Sequence, residues 1–105
     1  MEVAAKAKKA VSAIGVYACK HGFSIYEISF PGGDVYRCRF STDDYENNEE
    51  EPYSPKHEEW YTLDFKIVEV AKDGPNMVPR FEYIVLSRKH MPFAVTCDSE
   101  VVYRA

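Results

Sequence analysis

Within the stretch from Trp60 to Val70, apolar and polar residues alternate regularly from Tyr61 to Ile67. A period of two is typical of a β-strand with one buried and one wet face. The predicted buried face consists of Tyr61, Leu63, Phe65 and Ile67, and the wet face carries Thr62, Asp64 and Lys66. The pattern therefore predicts a strand that ends near Ala71, with Phe65 buried at the centre of the sheet.

The N-terminal segment has a helical pattern instead. Its apolar residues recur at spacings of three and four, which places them on one stripe of a helix. Gly22 follows the last of them and suits the position just after a helix end. We expect a helix over residues 2–21. Its stripe consists of Val3, Ala7, Ala10, Val11, Ile14, Tyr17 and Ala18.

Two alternating segments, 23–30 and 35–41, flank the turn-forming residues 31–34 and predict a hairpin. A loop with an odd number of residues keeps the apolar side chains of both strands on one side, whereas an even loop sends one set into water. The register chosen on this basis pairs Ile28 with Cys38. On the wet side it pairs Glu27 with Arg39, whose charges are opposite.

The C-terminal part of the chain predicts further strands over 80–87, 93–97 and 101–103. The first has apolar residues on both faces, so both of its sides are expected to be covered. A three-residue loop over 98–100 is expected between the other two. It would place on one face the side chains of Phe93, Val95, Cys97, Val101 and Tyr103.

These elements predict a single domain over residues 1–105. A helix with one apolar stripe must bury it against another element, and here the available element is a sheet. The sequence thus predicts an α+β fold, with the N-terminal helix packed on a five- to six-stranded antiparallel sheet.

The three cysteines, Cys19, Cys38 and Cys97, are an odd number without a close pair. This usage predicts free thiols on apolar faces and a cytoplasmic protein, not a secreted disulfide framework. The alternative, a weak signal peptide that ends at a lipid-modified Cys19, is disfavoured by the bulky Tyr17 just before the cleavage point. No segment has the roughly 20 apolar residues of a membrane span, so no membrane association is expected.

Negative charge is concentrated in one segment. Residues 43–64 hold nine acidic residues and one basic residue, whereas the whole chain has a net charge of −4. The part from 43 to 59 has no hydrophobic period, and we predict an acidic loop there. Loops longer than about 12–15 residues in compact domains are usually functional or disordered. A solvated connector is the simpler interpretation, and a binding surface is the functional one.

The functional interpretation draws on the aromatic residues among these carboxylates. Aromatic anchors with a charged rim are typical of protein interfaces, and concentrated charge speeds the encounter with an oppositely charged surface. We therefore predict a small non-enzymatic binding protein, an inhibitor or immunity-type protein that masks a basic protein partner. Its predicted contact residues are Asp43, Asp44, Tyr45, Glu46, Glu49, Glu50, Glu51, Tyr53, Glu58, Glu59 and Trp60.

A small hydrolase, acting on RNA, is the alternative prediction. Its histidine would be His57 or His90, and its carboxylate Glu58 or Glu59. Such pairs perform acid–base catalysis, but nothing in the spacing brings these residues together. A nucleic-acid partner is otherwise not expected, because the acidic segment would repel phosphates.

No metal or cofactor is expected. Cys19 and His21 supply too few ligands for a zinc site. Gly32 and Gly33 lie between two predicted strands, where a turn explains them without a phosphate. A third interpretation, an orphan domain within a larger assembly, is not distinguished by the sequence, and the oligomeric state is left open.

Overall fold

The computed structural model describes residues 2–74 and 82–105, with side chains from Lys8 onward. Within these residues one helix packs against a six-stranded antiparallel sheet, which confirms the predicted α+β fold. The elements are α1 (Glu2–Lys20), β1 (Ile25–Ser29), β2 (Val35–Asn47), β3 (Glu59–Lys72), β4 (Tyr83–Leu86), β5 (Ala94–Cys97) and β6 (Glu100–Arg104). The strand order in the sheet is β4-β3-β2-β1-β5-β6.

The helix buries the predicted stripe against the concave side of this sheet. Val11, Ile14 and Ala18 are buried, whereas the side chains of Val3 and Ala7 lie outside the described residues. α1 packs against both β3 and β6, which stand four positions apart in the strand order. That separation is about 19 Å in a flat sheet, whereas a helix is about 10–12 Å wide. The sheet must therefore curve around the helix.

The hairpin of β1 and β2 has the predicted faces but a different register. Ile28 pairs with Tyr36, so the predicted pairing of Ile28 with Cys38 is wrong by two residues. The loop closes early because the Phe30 N–H donates to the carbonyl oxygen of Asp34 at 3.0 Å. A shift of two residues keeps each side chain on its face, so the apolar set remains buried.

The shifted register changes the charge pairing on the wet side. Arg37, not Arg39, faces Glu27, with Nε and Oε2 3.5 Å apart. Arg37 also donates to Glu69 at 2.9 Å, and Arg39 donates to the carbonyl oxygen of Phe23 instead. The predicted Glu27–Arg39 pair is therefore wrong, because the shift of two residues in the register places Arg37 opposite Glu27.

Strand β3 contains the predicted buried face. Leu63, Phe65 and Ile67 are fully buried, and Tyr61 is half-buried. The strand is second from the edge, while β2 and β1 form the middle of the sheet. Phe65 is therefore at the core but not in a middle strand.

Strand β4 covers residues 83–86 of the strand predicted over 80–87, whose residues 80 and 81 lie outside the described residues. Ile84 and Leu86 are buried, whereas Tyr83 on the other face is 49% exposed. The expectation that both faces of this strand are covered is wrong at Tyr83, since the helix packs on one side of the sheet only.

The β5–β6 connection is shorter than predicted. Cys97 pairs with Glu100, which leaves a two-residue turn of Asp98 and Ser99, both at positive φ (51° and 67°). Such a turn matches the twist of a hairpin, and short polar residues tolerate its conformation. A register shift follows between Val95 and Thr96. The predicted common face is wrong at Phe93 and Val101, which are 44% and 56% exposed.

The three cysteines are free thiols, and two lie where expected. Cys38 and Cys97 are buried, but Cys19 is exposed on α1. The expectation that all three lie on apolar faces is wrong for Cys19, since the buried stripe passes through its neighbour Ala18.

Candidate functional site

Strand β2 extends past its neighbour β1, and its residues 42–47 pair with residues 59–64 of β3. These two segments form the ribbon. The pairing runs from Thr42 opposite Asp64 to Asn47 opposite Glu59. On the other side of β2, the pairing with β1 ends at Arg39. The predicted loop over 43–59 is therefore a loop only over 48–58. Residues 43–47 form a strand without a hydrophobic period, because both faces of the ribbon carry polar groups.

The acidic loop, residues 48–58, is held closed by Asn48. Its backbone N–H donates to the Glu58 carbonyl oxygen at 3.1 Å, and its side-chain amide donates to the Lys56 carbonyl oxygen at 2.7 Å. Its Oδ1 accepts from the Glu58 N–H at 3.1 Å. One amide side chain thus bridges the two ends of the loop.

His57 is the second residue that holds the acidic loop closed. Nδ1 lies 3.0 Å from the carbonyl oxygen of Glu50, and Nε2 lies 3.0 Å from Oε1 of Glu59. Both neighbours are acceptors, so the ring satisfies both only when each nitrogen carries a proton. The hydrogen bond to Glu59, followed by that to Glu50, raises the pKa of His57 above its ordinary value. The imidazolium therefore closes the loop.

The residues of the predicted hydrolase are brought together only in part. His57 meets Glu59, as that prediction requires, but its other nitrogen is engaged by the loop backbone. His90 is stacked on Phe30 at 5.0 Å and bonded to the Val85 carbonyl oxygen at 2.9 Å. It therefore lies apart from the His57–Glu59 pair.

A groove of about 510 Å³ separates α1 from the ribbon. One wall is the face of α1 with Lys8, Val11, Ser12 and Val16, and the other consists of Asp43, Tyr45, Glu59, Trp60, Tyr61 and the nearby Arg88. Val16 is 58% exposed and lies off the buried stripe. The hydrophobic pattern of the helix indicates only the face that packs on the sheet. It therefore did not predict that another face of α1 lines a groove.

Tyr61 forms the floor of the groove. Its hydroxyl donates to Oδ2 of Asp43 at 2.5 Å, and its ring lies 5.4 Å from that of Tyr45. Burial, and then the bond to Asp43, raises the pKa of Tyr61. Gly15 lets the helix approach, because a Cβ there would lie 2.9 Å from the Tyr61 hydroxyl.

The face of the ribbon away from the helix is strongly acidic. It carries Asp44, Glu46 and Asp64, which share one side because residues along a strand alternate. The pKa of Asp64 is raised by burial first and then by the charges of Asp44 and Glu46. The carboxylates are thus held together against their mutual repulsion.

Trp60 is less available than the sequence suggested. Lys89 Nζ lies 3.9 Å from the centre of its ring, and the Arg88 guanidinium lies 5.9 Å from it and forms an ion pair with Glu58. Two other aromatic residues are more exposed, since Tyr45 is 65% and Tyr53 100% exposed. Neither Arg88 nor Lys89 was among the predicted contact residues.

The predicted contact residues therefore fall on three parts of one end of the molecule. The groove receives Asp43, Tyr45, Glu59 and Trp60, the outer face of the ribbon receives Asp44 and Glu46, and the acidic loop carries Glu49, Glu50, Glu51, Tyr53 and Glu58.

No family model, curated protein or solved structure matches this chain. In the described part of the chain, no group of three or more His, Cys, Asp and Glu side chains is placed to hold a metal ion. The helix described there is also too short or too polar to cross a bilayer.

Proposed function

We propose that this protein is a small non-enzymatic binding protein that masks a basic surface on another protein, as an inhibitor or immunity-type protein does. The observation that carries the proposal is the exposure of every residue from Ser41 to Tyr53 on a segment whose backbone is nevertheless held in place. Cross-strand pairing holds the ribbon, and Asn48 and His57 hold the acidic loop.

The order of this segment favours binding over mere solvation. Ordering a flexible loop on association costs conformational entropy, and a preformed loop avoids that cost. The carboxylates would attract a basic partner at long range, while Tyr45 and Tyr53 supply exposed rings of the kind that anchor interfaces. A cytoplasmic location is part of the proposal, since the buried Cys38 and Cys97 are unpaired.

The second candidate, a small hydrolase, is supported by one contact, between His57 and Glu59. Two features weigh against it. The groove next to Glu59 is not lined by His57, and both ring nitrogens of His57 already have partners in the acidic loop. A general base needs a free nitrogen within reach of its substrate.

The test first isolates a partner by its binding to immobilised wild-type protein. It then measures the association and dissociation rates of that partner. Changing Glu49, Glu50 and Glu51 to Gln should leave stability nearly unchanged, because exposed charges contribute little. Association should slow by roughly tenfold at low salt and by less at physiological salt, where charge is screened. Replacing Tyr53 with Ala should instead speed dissociation.

A matched control removes the same charge elsewhere, by Asp73→Asn, Glu82→Gln and Glu100→Gln, all of which are exposed. Its association rate should stay close to that of the wild type. Equal association rates for the loop variant, the control and the wild type at low salt would rule out the acidic loop as the docking surface.

A further inference from the structure

We propose that the partner adds an extended basic segment as a new strand along the open edge of β2, beside residues 42–47. The inference rests on the proposed function and specifies how the partner docks. Its starting point is a difference between the two edges of the ribbon.

The β2 edge of the ribbon has no neighbouring strand within the described ranges. β1 pairs with β2 only as far as Arg39, and residues 42–47 then pair with β3 alone. An edge without a neighbouring strand offers backbone donors and acceptors to an extended chain. Here the Tyr45 N–H donates to Oδ1 of Asp44 at 2.8 Å, and the Asp43 carbonyl oxygen accepts from the Thr42 hydroxyl at 3.3 Å. An added strand would replace these exposed local bonds. Six residues of strand are about 20 Å long, which is enough for a segment of similar length to pair along it.

The β3 edge of the ribbon is covered, and its cover is basic. Ser87 and His90 bridge a tight turn at the end of β4. Between them, Arg88 forms the ion pair with Glu58, and Lys89 lies over the ring of Trp60. A basic segment of the protein itself thus packs against the β3 edge of the ribbon. A basic segment of a partner would find similar acidic and aromatic groups at the open β2 edge.

Charge selects the occupant of the β2 edge. A second copy pairing there would bring Asp43, Asp44 and Glu46 of both chains together, and like charges across a strand pair are destabilising. Lysine or arginine side chains would instead be attracted. The acidic edge therefore resists self-association and accepts a basic strand.

The two faces of the ribbon set the pattern expected in that strand. Side chains of an added strand alternate between the faces. One set would face the outer carboxylates of Asp44 and Glu46. The other set would enter the groove beside Tyr45 and the exposed Val16. The partner segment should therefore alternate Lys or Arg with apolar residues.

The test titrates the intact protein with the blocked peptide Lys-Val-Lys-Val-Lys-Val-Lys. Two further peptides carry N-methyl groups on the odd or on the even backbone nitrogens. In an extended strand alternate N–H groups point to opposite sides, so only one of the two patterns removes the donors that face β2. We expect that pattern to weaken binding roughly tenfold or more and the other to be tolerated. The amides of residues 42–47 should become protected from hydrogen exchange.

Two variants separate failure of the docking mode from failure of the proposed function. The double variant Asp44→Asn/Glu46→Gln should lose affinity, whereas Asp73→Asn/Glu82→Gln, with the same change in charge, should not. If both methylated peptides bind as well as the parent and the double variant still loses affinity, strand addition is wrong and the acidic surface remains. If the parent peptide binds wild type and double variant equally, or not at all, the proposed basic partner is wrong as well. A peptide-free dimer formed through residues 42–47 would overturn the choice of occupant.

Discussion

His57 illustrates at the residue scale how one side chain organises an acidic surface. Its two ring nitrogens join the backbone of Glu50 to the carboxylate of Glu59, across a loop rich in like charges. A neutral ring has one donor and so would leave one of these acceptors unbonded. The positive charge also offsets part of the local repulsion between carboxylates. The conformation of the acidic loop is therefore linked to the protonation of His57.

This linkage predicts a pH dependence with a definite sign. The pKa of His57 is raised above its ordinary value of 6.5 in the folded protein, chiefly by the bond to Glu59. The stabilisation is therefore complete below the unfolded value and is lost as pH rises through the folded value. Amides of residues 48–58, corrected for intrinsic exchange, should lose protection over that range. The variant His57→Ala should have low protection throughout, while His21→Ala keeps the wild-type profile. An unchanged profile in His57→Ala would show that His57 does not hold the loop.

At the element scale, strand β3 belongs to two environments. Its middle lies in the core, where the ring of Phe65 is 5.3 Å from Tyr26 and 5.5 Å from Phe40. Its first residues leave the core and form the ribbon with β2, under the helix at Gly15. The core part thus provides the anchor from which the ribbon projects.

The anchoring role predicts a large cost for shortening Phe65. Phe65→Ala should lower the free energy of unfolding by about 3–5 kcal/mol, because it removes a fully buried ring and leaves a cavity. The matched control is Phe23→Ala, since the Phe23 side chain is 95% exposed and its change should cost less than about 0.5 kcal/mol. Urea denaturation measures both. A loss below about 1 kcal/mol for Phe65→Ala would mean that β3 is peripheral to the core.

At the scale of the whole molecule, the sheet curves around one helix and projects a charged arm. The radius of gyration is 14.1 Å and the longest dimension 42 Å, compared with a radius of about 13 Å for a compact chain of this size. The core lies at one end, and the ribbon and acidic loop extend from it. Binding chemistry is thereby separated from the residues that stabilise the fold.

The curved sheet also isolates the two buried thiols. Cys38 and Cys97 lie opposite Tyr26 on its two sides, so they are about 10 Å apart, beyond the roughly 7 Å that a disulfide allows. Burial raises the pKa of Cys38 to about 12. We expect one fast-reacting thiol, Cys19, with a thiol reagent on the native protein, and three after unfolding. Mass analysis without reductant should show no intramolecular disulfide. Fast reaction of two or more native thiols would contradict the buried placement.

The sequence alone determined the helix, the strand type of most segments and the side of the sheet that each apolar residue faces. These features follow from the hydrophobic period of the sequence, because turning a strand over would expose all of its apolar side chains to water. Ile28 and Phe65 were therefore assigned to the core correctly. The acidic residues of the site were also recognisable, since charge density is a property of composition.

Only the tertiary structure decided the register, the ribbon and the groove. In the first hairpin, Ile28 pairs with Tyr36, a shift that keeps the side chains on their predicted faces. In the last hairpin, the two-residue turn at Asp98 is shorter than the predicted loop. The hydrophobic period of the sequence does not reveal either register. The strand over residues 43–47 depends on its partner in β3, because strand hydrogen bonds join residues distant in sequence. The groove, likewise, arises beside the contact of α1 with Tyr61 at Gly15. Its walls come from segments far apart along the chain, so their proximity is a property of packing alone.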